Sequence, residues 1–136
     1  MMEELELFVD QWEETDTRTK KAFESIMNHL MAMEDVELAF HPRPGVTYSL
    51  RPKHKNQTDR ALFAMADVID DDPGERWLSV CFYGDMISDP EEMGDLIPEG
   101  LLGDDGYCFD LYEYDASELA YIKERLDEAC ARAARA

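Results

Sequence analysis

The segment that decides the fold is Leu62–Tyr83, which reads LFAMADVI-DDDPGER-WLSVCFY. Two apolar arms, Leu62–Ile69 and Trp77–Tyr83, flank the turn Asp70–Arg76, in which proline and glycine follow three aspartates. Apolar runs of strand length on both sides of such a turn predict a β-hairpin. The second arm carries almost no charge, so we expect it to be a central strand that is buried on both faces.

The first arm of this hairpin also fits a short helix. Asp59 is placed to cap it, and alanine, leucine and methionine favour helices. Its apolar residues recur at helical spacing, at Leu62, Met65, Ala66 and Ile69. A strand is the preferred interpretation, because the run is short, is bounded by a turn and precedes a clear strand.

Two amphipathic helices are predicted before the hairpin. The first is Glu3–Glu14, whose apolar residues recur every three or four positions. The second begins after Thr15–Thr17, which offers N-cap oxygens, and runs to about Met33. The pattern then alternates, which predicts strands at Val36–Phe40 and Val46–Arg51 around a turn with two prolines and a glycine.

The chain after the hairpin is first irregular and then regular. Prolines and glycines interrupt Gly84–Gly106, where Asp89 is placed to cap a single turn. A strand is predicted at Tyr107–Tyr112. The last helix begins after Asp115, whose side chain is an expected N-cap. Loops as long as Gly84–Gly106 are usually functional or mobile.

These elements predict an α+β fold. We expect a single, mainly antiparallel sheet of four to five strands, with two N-terminal helices and a C-terminal helix packed on one face. The length of 136 residues suits one domain, which we assign to residues 1–136.

The charge of the chain limits its partners. Thirteen lysines and arginines stand against 32 aspartates and glutamates, which gives a net charge of −19. Such a field repels nucleic acids and anionic membranes, so neither is an expected partner, and it favours cationic ones. Acidity also serves solubility, which is the simpler explanation.

The cysteines and the N-terminal segment indicate a cytoplasmic protein. Cys81, Cys108 and Cys130 are far apart and match no zinc-binding or C-x-x-C spacing, so we expect reduced, structural thiols. Glutamates follow the first methionines where a signal peptide would have basic residues. No apolar run approaches the ~20 residues that span a bilayer.

No stretch of the sequence carries a recognised catalytic, metal or phosphate pattern. The acidic run Asp70–Asp72 lacks the alternating spacing of a calcium loop, and the glycines of Gly84–Gly106 match no phosphate-binding motif. We therefore predict no catalytic residues, no metal and no cofactor, and we expect a protein that is not an enzyme.

Two loops supply the candidate binding residues. The polar segment Pro52–Arg60, with Arg51 just before it, is the one basic region of the chain. It is a candidate anion site, although salt bridges with the surrounding acidic surface are the preferred interpretation. The second candidate site lies where the Gly84–Gly106 loop meets the sheet. The candidates are Arg51, Lys53, His54 and Arg60 in the first loop, and Asp85, Asp89, Tyr107 and Cys108 around the second.

The order of elements resembles a known group of proteins. With Val46–Arg51, the apolar hairpin containing Trp77–Val80 and a closing strand and helix, residues 16–134 resemble the YdhG-like group of bacterial domains of unknown function. This resemblance implies a curved antiparallel sheet on which the last helix packs, and it implies no functional residue. Gly84–Gly106 departs from the group.

A second resemblance is to type III secretion chaperones, which are small, acidic, cytoplasmic α/β proteins with an amphipathic C-terminal helix. It implies a homodimer that holds an extended partner, although two helices before the first strand fit it less well. The leading hypothesis is therefore a non-enzymatic binding domain for a basic or extended protein segment. The alternative is a small-ligand binder or enzyme with a site under the Gly84–Gly106 loop.

Overall fold

The computed structural model describes residues 2–135, which form three α-helices and one six-stranded sheet. The helices are α1 (Met2–Gln11), α2 (Thr19–Met31) and α3 (Ala116–Ala134). The strands are β1 (Val36–Arg43), β2 (Thr47–His54), β3 (Met65–Ile69), β4 (Trp77–Tyr83), β5 (Asp95–Leu101) and β6 (Asp104–Leu111). Their order in the sheet is β1-β2-β3-β4-β6-β5, and every neighbouring pair is antiparallel.

The hairpin forms the middle of this sheet. Strands β3 and β4 pair in the register Val68 opposite Leu78, and β3 also pairs with β2. The first arm is therefore a strand, and its helical alternative is wrong. Pairing on both sides uses the backbone groups of β3, and the β-branched Val68 and Ile69 suit this pleated position. Leu62–Ala64 lie before the strand and are buried.

The prediction that the second arm is buried on both faces is wrong. Leu78, Val80 and Phe82 are buried, whereas the alternating residues Ser79 and Cys81 are partly exposed. Strand β4 therefore has one core face and one partly solvated face, as antiparallel strands commonly do.

A buried ion pair closes the turn of the hairpin. Arg76 Nε lies 2.6 Å from Asp70 Oδ1, and the second carboxylate oxygen accepts the Gly45 N–H at 2.8 Å. The Arg76 carbonyl accepts the hydroxyl of Thr19 at the start of α2. The Arg76 guanidinium also lies 5.2 Å from the ring centre of Phe8 in α1. One turn thus connects two hairpins and two helices.

The sheet has six strands rather than the predicted four to five. The additional strand is β5, which lies within Gly84–Gly106, the segment predicted to be irregular. Pro98 interrupts this strand, and its register with β6 shifts between Ile97 and Leu101. Leu102 and Gly103, both with positive φ, form a two-residue turn into β6. Edge strands tolerate proline and bulges, so a true strand here has no regular apolar pattern.

Strands β1 and β2 extend further than predicted. Strand β1 runs through Pro42 to Arg43, and β2 includes Pro52 and continues to His54. Proline fits an antiparallel pair at positions where its nitrogen faces away from the partner strand. The basic loop is thus shorter than predicted, and part of its charge lies on the sheet.

The helices form largely where predicted. Asp115 caps α3 by accepting the N–H groups of Ser117 and Glu118, which confirms the predicted N-cap. Helix α2 begins two residues after the threonine segment, with Arg18 at its N-cap in the left-handed conformation. In residues 2–135, no helix has the length and apolar character needed to cross a membrane.

Two of the three cysteines are joined, which corrects the prediction of reduced thiols. Cys81 on β4 and Cys108 on β6 face each other in the register, with a Cα–Cα distance of 4.1 Å, and form a disulfide. Cys130 on α3 is free. Cysteines 27 residues apart give no sign of pairing until the strand register places them opposite each other.

Removing this disulfide is expected to destabilise the protein. Cys81→Ser with Cys108→Ser should lower the free energy of unfolding by about 3 kcal/mol, because the unfolded chain regains the freedom that the cross-link removes. Urea unfolding with and without reductant measures this, with Cys130→Ser as the control. A wild-type midpoint that does not change on reduction would contradict the prediction.

Breaking the hairpin ion pair should cost more. Asp70→Ala leaves the guanidinium of Arg76 and the Gly45 N–H without their acceptor, so the free energy of unfolding should fall by about 3–5 kcal/mol. The exposed neighbour Asp71 is a matched control, and Asp71→Ala should change stability by less than about 0.5 kcal/mol. Equal losses in the two variants, measured by urea unfolding, would refute the central role of this pair.

Candidate functional site

Residues from distant parts of the chain meet where β4 ends and β6 begins. They line an open cavity of about 640 Å³. Three of the eight candidate residues lie here, Arg60 from the basic loop and Asp85 and Tyr107 from the second group. The full lining is Arg60, Tyr83, Gly84, Asp85, Leu96, Gly103, Asp104, Asp105 and Tyr107.

The centre of the cavity is an ion pair between the two predicted loops. The guanidinium of Arg60 donates to both carboxylate oxygens of Asp85, at 2.8 and 3.2 Å, and lies 3.7 Å from a carboxylate oxygen of Asp104. The bond to Asp85 raises the pKa of Arg60, and the same contact lowers the pKa of Asp85. The positive charge of Arg60 is thus already compensated, which argues against an anion site.

Aromatic rings form part of the cavity wall. The guanidinium of Arg60 stacks 3.9 Å above the ring centre of Tyr83, and burial raises the pKa of this tyrosine. Tyr107 packs against Gly84, where an added Cβ would lie 2.9 Å from its ring. Glycine at position 84 therefore permits the position of Tyr107. Leu96 is half-exposed and adds an apolar contact surface.

Two further cavities adjoin this one, each through different shared lining residues. A cavity of about 440 Å³ shares Gly84, Leu96 and Tyr107 with it. A smaller one of about 190 Å³ shares Arg60 and Asp85. We call the three together the acidic groove. Its charged lining residues are Asp59, Arg60, Asp85, Asp89, Glu92, Asp104, Asp105 and Arg132.

Asp89 stabilises the loop that borders the groove. Its carboxylate accepts the N–H groups of Met93 and Gly94, at 3.0 and 2.9 Å, and the hydroxyl of Tyr121 on α3. Burial acts to raise the pKa of Asp89, but these hydrogen bonds outweigh it and lower that pKa. Beside it, Glu128 of α3 accepts the Ser88 hydroxyl at 2.6 Å. The loop is therefore fastened to α3.

The other four candidates lie outside the groove. Arg51 donates to the Ser49 hydroxyl at 3.0 Å, and Lys53 faces Glu37 across the β1–β2 pair. His54 is buried, and its Nδ1 accepts the N–H of Asn56. Cys108 is held in the disulfide. The structure thus does not bring these residues together with Arg60 as one basic site.

Sequence reasoning missed the residues that shape the groove, Tyr83, Gly84 and Leu96. Tyr83 is the last residue of an apolar strand and Gly84 follows it. In the sequence this pattern indicates the end of a strand but no binding site. Leu96 belongs to the unpredicted strand β5. Among the residues that the structure describes, no group of three or more His, Cys, Asp or Glu side chains is placed to hold a metal ion.

The contact between Asp89 and Tyr121 can be tested by removing one hydroxyl. Tyr121→Phe should lower the free energy of unfolding at pH 7 by about 1.5 kcal/mol, because the bond goes to a charged carboxylate. The pKa of Asp89 is lowered in the folded protein, so this stabilisation is present above the unfolded-state pKa and is lost as the pH falls through the folded-state value.

The difference between wild type and Tyr121→Phe should therefore shrink in acid, as measured by urea unfolding between pH 7 and pH 3. Tyr112→Phe is the matched control, since Tyr112 is 62% exposed and should leave stability unchanged. A difference that stays constant across this pH range would contradict the assignment.

No protein-family model matches this chain, and neither do any of the curated proteins or solved structures with which it was compared. The resemblances to the YdhG-like group and to type III secretion chaperones therefore remain predictions.

Proposed function

We propose that this chain is a non-enzymatic binding domain that holds a basic, extended protein segment in the acidic groove. The observation that carries the proposal is the excess of carboxylates along three connected cavities. Six carboxylates and two guanidinium groups line them, a net charge of −4. Arg60, one of the two cations, is already bound by Asp85.

The shape of the groove suits an extended chain. Its three cavities adjoin in series, from Arg132 near the end of α3, past Arg60, to Glu92 in the loop before β5. A single compact ligand would occupy one of them, whereas an extended segment can contact all three. Carboxylates placed along this path raise the association rate of cationic segments and favour them over neutral or anionic ones.

The walls of the groove suit lysine and arginine in particular. Tyr107 presents a ring edge or face and Leu96 a half-exposed aliphatic surface beside the carboxylates of Asp104 and Asp105. The aliphatic stem of a basic side chain packs on such surfaces while its charged head reaches a carboxylate. Aromatic rings add a cation–π contribution.

A small cationic molecule is the second candidate ligand. The main cavity, at about 640 Å³, lies within the volume range of small-molecule sites, which is roughly 300–1,000 Å³. An enzyme remains the weaker form of this alternative, since Cys108 is engaged in a disulfide and Asp89 in holding its loop.

We also propose that all three helices pack on one face of the sheet. We further propose that the protein is cytoplasmic. The alternation of buried and partly exposed residues along β3 and β4 supports the first. The acidic composition is consistent with the second, whereas the disulfide is more typical of an oxidising compartment. Thiol alkylation of protein taken directly from cells distinguishes the two locations.

The binding proposal is tested with a fluorescent ten-residue peptide in which lysine alternates with leucine. Wild type should bind it at low salt, and Asp104→Asn with Asp105→Asn should weaken binding about tenfold, which corresponds to ~1.4 kcal/mol. The control is Glu13→Gln with Glu14→Gln, which removes the same charge from an exposed segment outside the groove. Fluorescence anisotropy gives the dissociation constants.

Equal weakening in the two variants would mean that the peptide senses only the overall charge, and would contradict the groove. A wild type that does not bind at 50 mM salt would reject the function. Complete competition by free arginine at low millimolar concentration would instead favour the small cationic ligand.

A further inference from the structure

The two edges of the sheet differ in their ability to pair. Strand β5 is interrupted in its middle by Pro98, a register shift and Glu99 with positive φ, which together block continuous pairing, whereas the proline of β1, Pro42, lies next to the last residue of its strand. Strand β1 at the opposite edge pairs with β2 in continuous register over all eight residues, from Val36 to Arg43. The β1 edge is therefore the longer and straighter of the two.

Proline chemistry identifies the β1 groups that point outward. Pro42 has no N–H, so it cannot form a hydrogen-bonded pair with Tyr48, the residue opposite it on β2. Hydrogen-bonded and non-hydrogen-bonded pairs alternate along an antiparallel ladder, so the backbone carbonyl of Pro42 points away from β2. The N–H of Lys55 bonds to the carbonyl of Asp35, which places the odd-numbered residues on the side of β2. The even-numbered residues therefore direct their backbone groups outward.

These outward groups belong to Val36, Leu38 and Phe40. Within residues 2–135, β1 pairs only with β2, and none of these three residues takes part in a backbone hydrogen bond elsewhere. A row of unpaired N–H and C=O groups on a straight edge is a template for another strand.

The charges on the segment indicate which strand fits. Its first part is acidic, with Glu34, Asp35 and Glu37, and its last part carries His41 and Arg43. In an antiparallel pair of identical strands centred on Ala39, Asp35 of each copy lies opposite the cation Arg43 of the other, and Glu37 lies opposite His41. The segment is therefore complementary to itself, as an interface with two-fold symmetry requires.

We propose that β1 pairs with β1 of a second copy of this chain, antiparallel, about a two-fold axis at Ala39. In this register Leu38 exchanges hydrogen bonds with the partner's Phe40, and Glu37 lies beside the partner's His41. The two six-stranded sheets become one continuous sheet. The acidic groove lies at the far edge, beside β5, so this interface does not depend on the proposed function.

The basic residues next to β1 reduce the repulsion between two acidic copies. Arg51 and Lys53 lie opposite Ala39 and Glu37 on β2, and Lys55 follows directly. All three lie in the basic segment of residues 51–60. Of the cations in this segment, only Arg60 lines the acidic groove. Together with Arg43, the three residues beside β1 balance Glu34, Asp35 and Glu37, and Lys55 lies 3.1 Å from Asp35, so this edge is close to neutral on a chain with a net charge of −19.

The oligomeric state of the intact chain tests the proposal. Wild type should sediment as a dimer at about 100 μM and dissociate on dilution, since one strand pair gives a small interface. His41→Glu with Arg43→Glu makes the whole strand acidic and should raise the dissociation constant about tenfold or more, because like charges then face each other. Adding Glu34→Lys with Glu37→Lys to this variant reverses the charge order and should restore the dimer.

Arg18→Glu with Lys20→Gln is the matched control, because it also lowers the net charge by three, outside β1, and should leave the dissociation constant unchanged. Hydrogen exchange locates the interface. The amides of Leu38 and Phe40 should lose protection on dilution, while those of Ala39 and His41, bonded to β2, should keep it.

A wild type that stays monomeric at all concentrations would overturn the proposal. So would a dimer that His41→Glu with Arg43→Glu leaves intact, or one in which Leu38 and Phe40 exchange freely. Each of these outcomes leaves the peptide-binding result unaffected, so the two proposals fail separately.

Discussion

The buried ion pair between Asp70 and Arg76 is the contact on which the rest of the fold depends. It closes the central hairpin, and through Gly45 and Thr19 it also fixes the β1–β2 turn and the start of α2. The rings of Phe8 in α1 and of Trp12, which follows the helix, lie beside the same guanidinium. Because Asp70 is buried and Arg76 is largely covered, losing either partner leaves the other poorly compensated, so the pair couples the elements that it contacts. In the sequence, the acidic turn Asp70–Arg76 resembles a solvated loop. In the structure its first residue, Asp70, has a structural role.

The parts of the fold that are visible in the sequence are those fixed by local chemistry. The apolar run Trp77–Tyr83 coincides with β4, and Asp115 caps α3 because an aspartate before a helix satisfies free N–H groups wherever the helix packs. Strand β5 depends instead on β6 for its pairing, and an edge strand with Pro98 needs no apolar period. The disulfide depends on register, which no local pattern determines.

The candidate site divides in the same way. Arg60 and Asp85 were each recognisable as unusual within their own loops, but only the folded chain places them 2.8 Å apart. This contact changes the interpretation of the basic loop, since the isolated segment suggests an anion site, whereas in the folded chain Arg60 is paired with Asp85 and lies in a cavity that Asp104 and Asp105 also line. Lys53 and His54 precede Arg60 in the same basic segment, but they belong to β2 and lie outside the groove. Charge along a chain predicts the sign of a surface only where the neighbours in space are also known.

The kink in β5 has a consequence for growth. A sheet with two straight edges could add copies at both ends and extend into a fibre. Here Pro98 and the bulge interrupt the β5 edge, so in the proposed dimer a third copy would find no continuous strand to join. The same irregularity that removes the apolar pattern of β5 would therefore limit the proposed assembly to two chains.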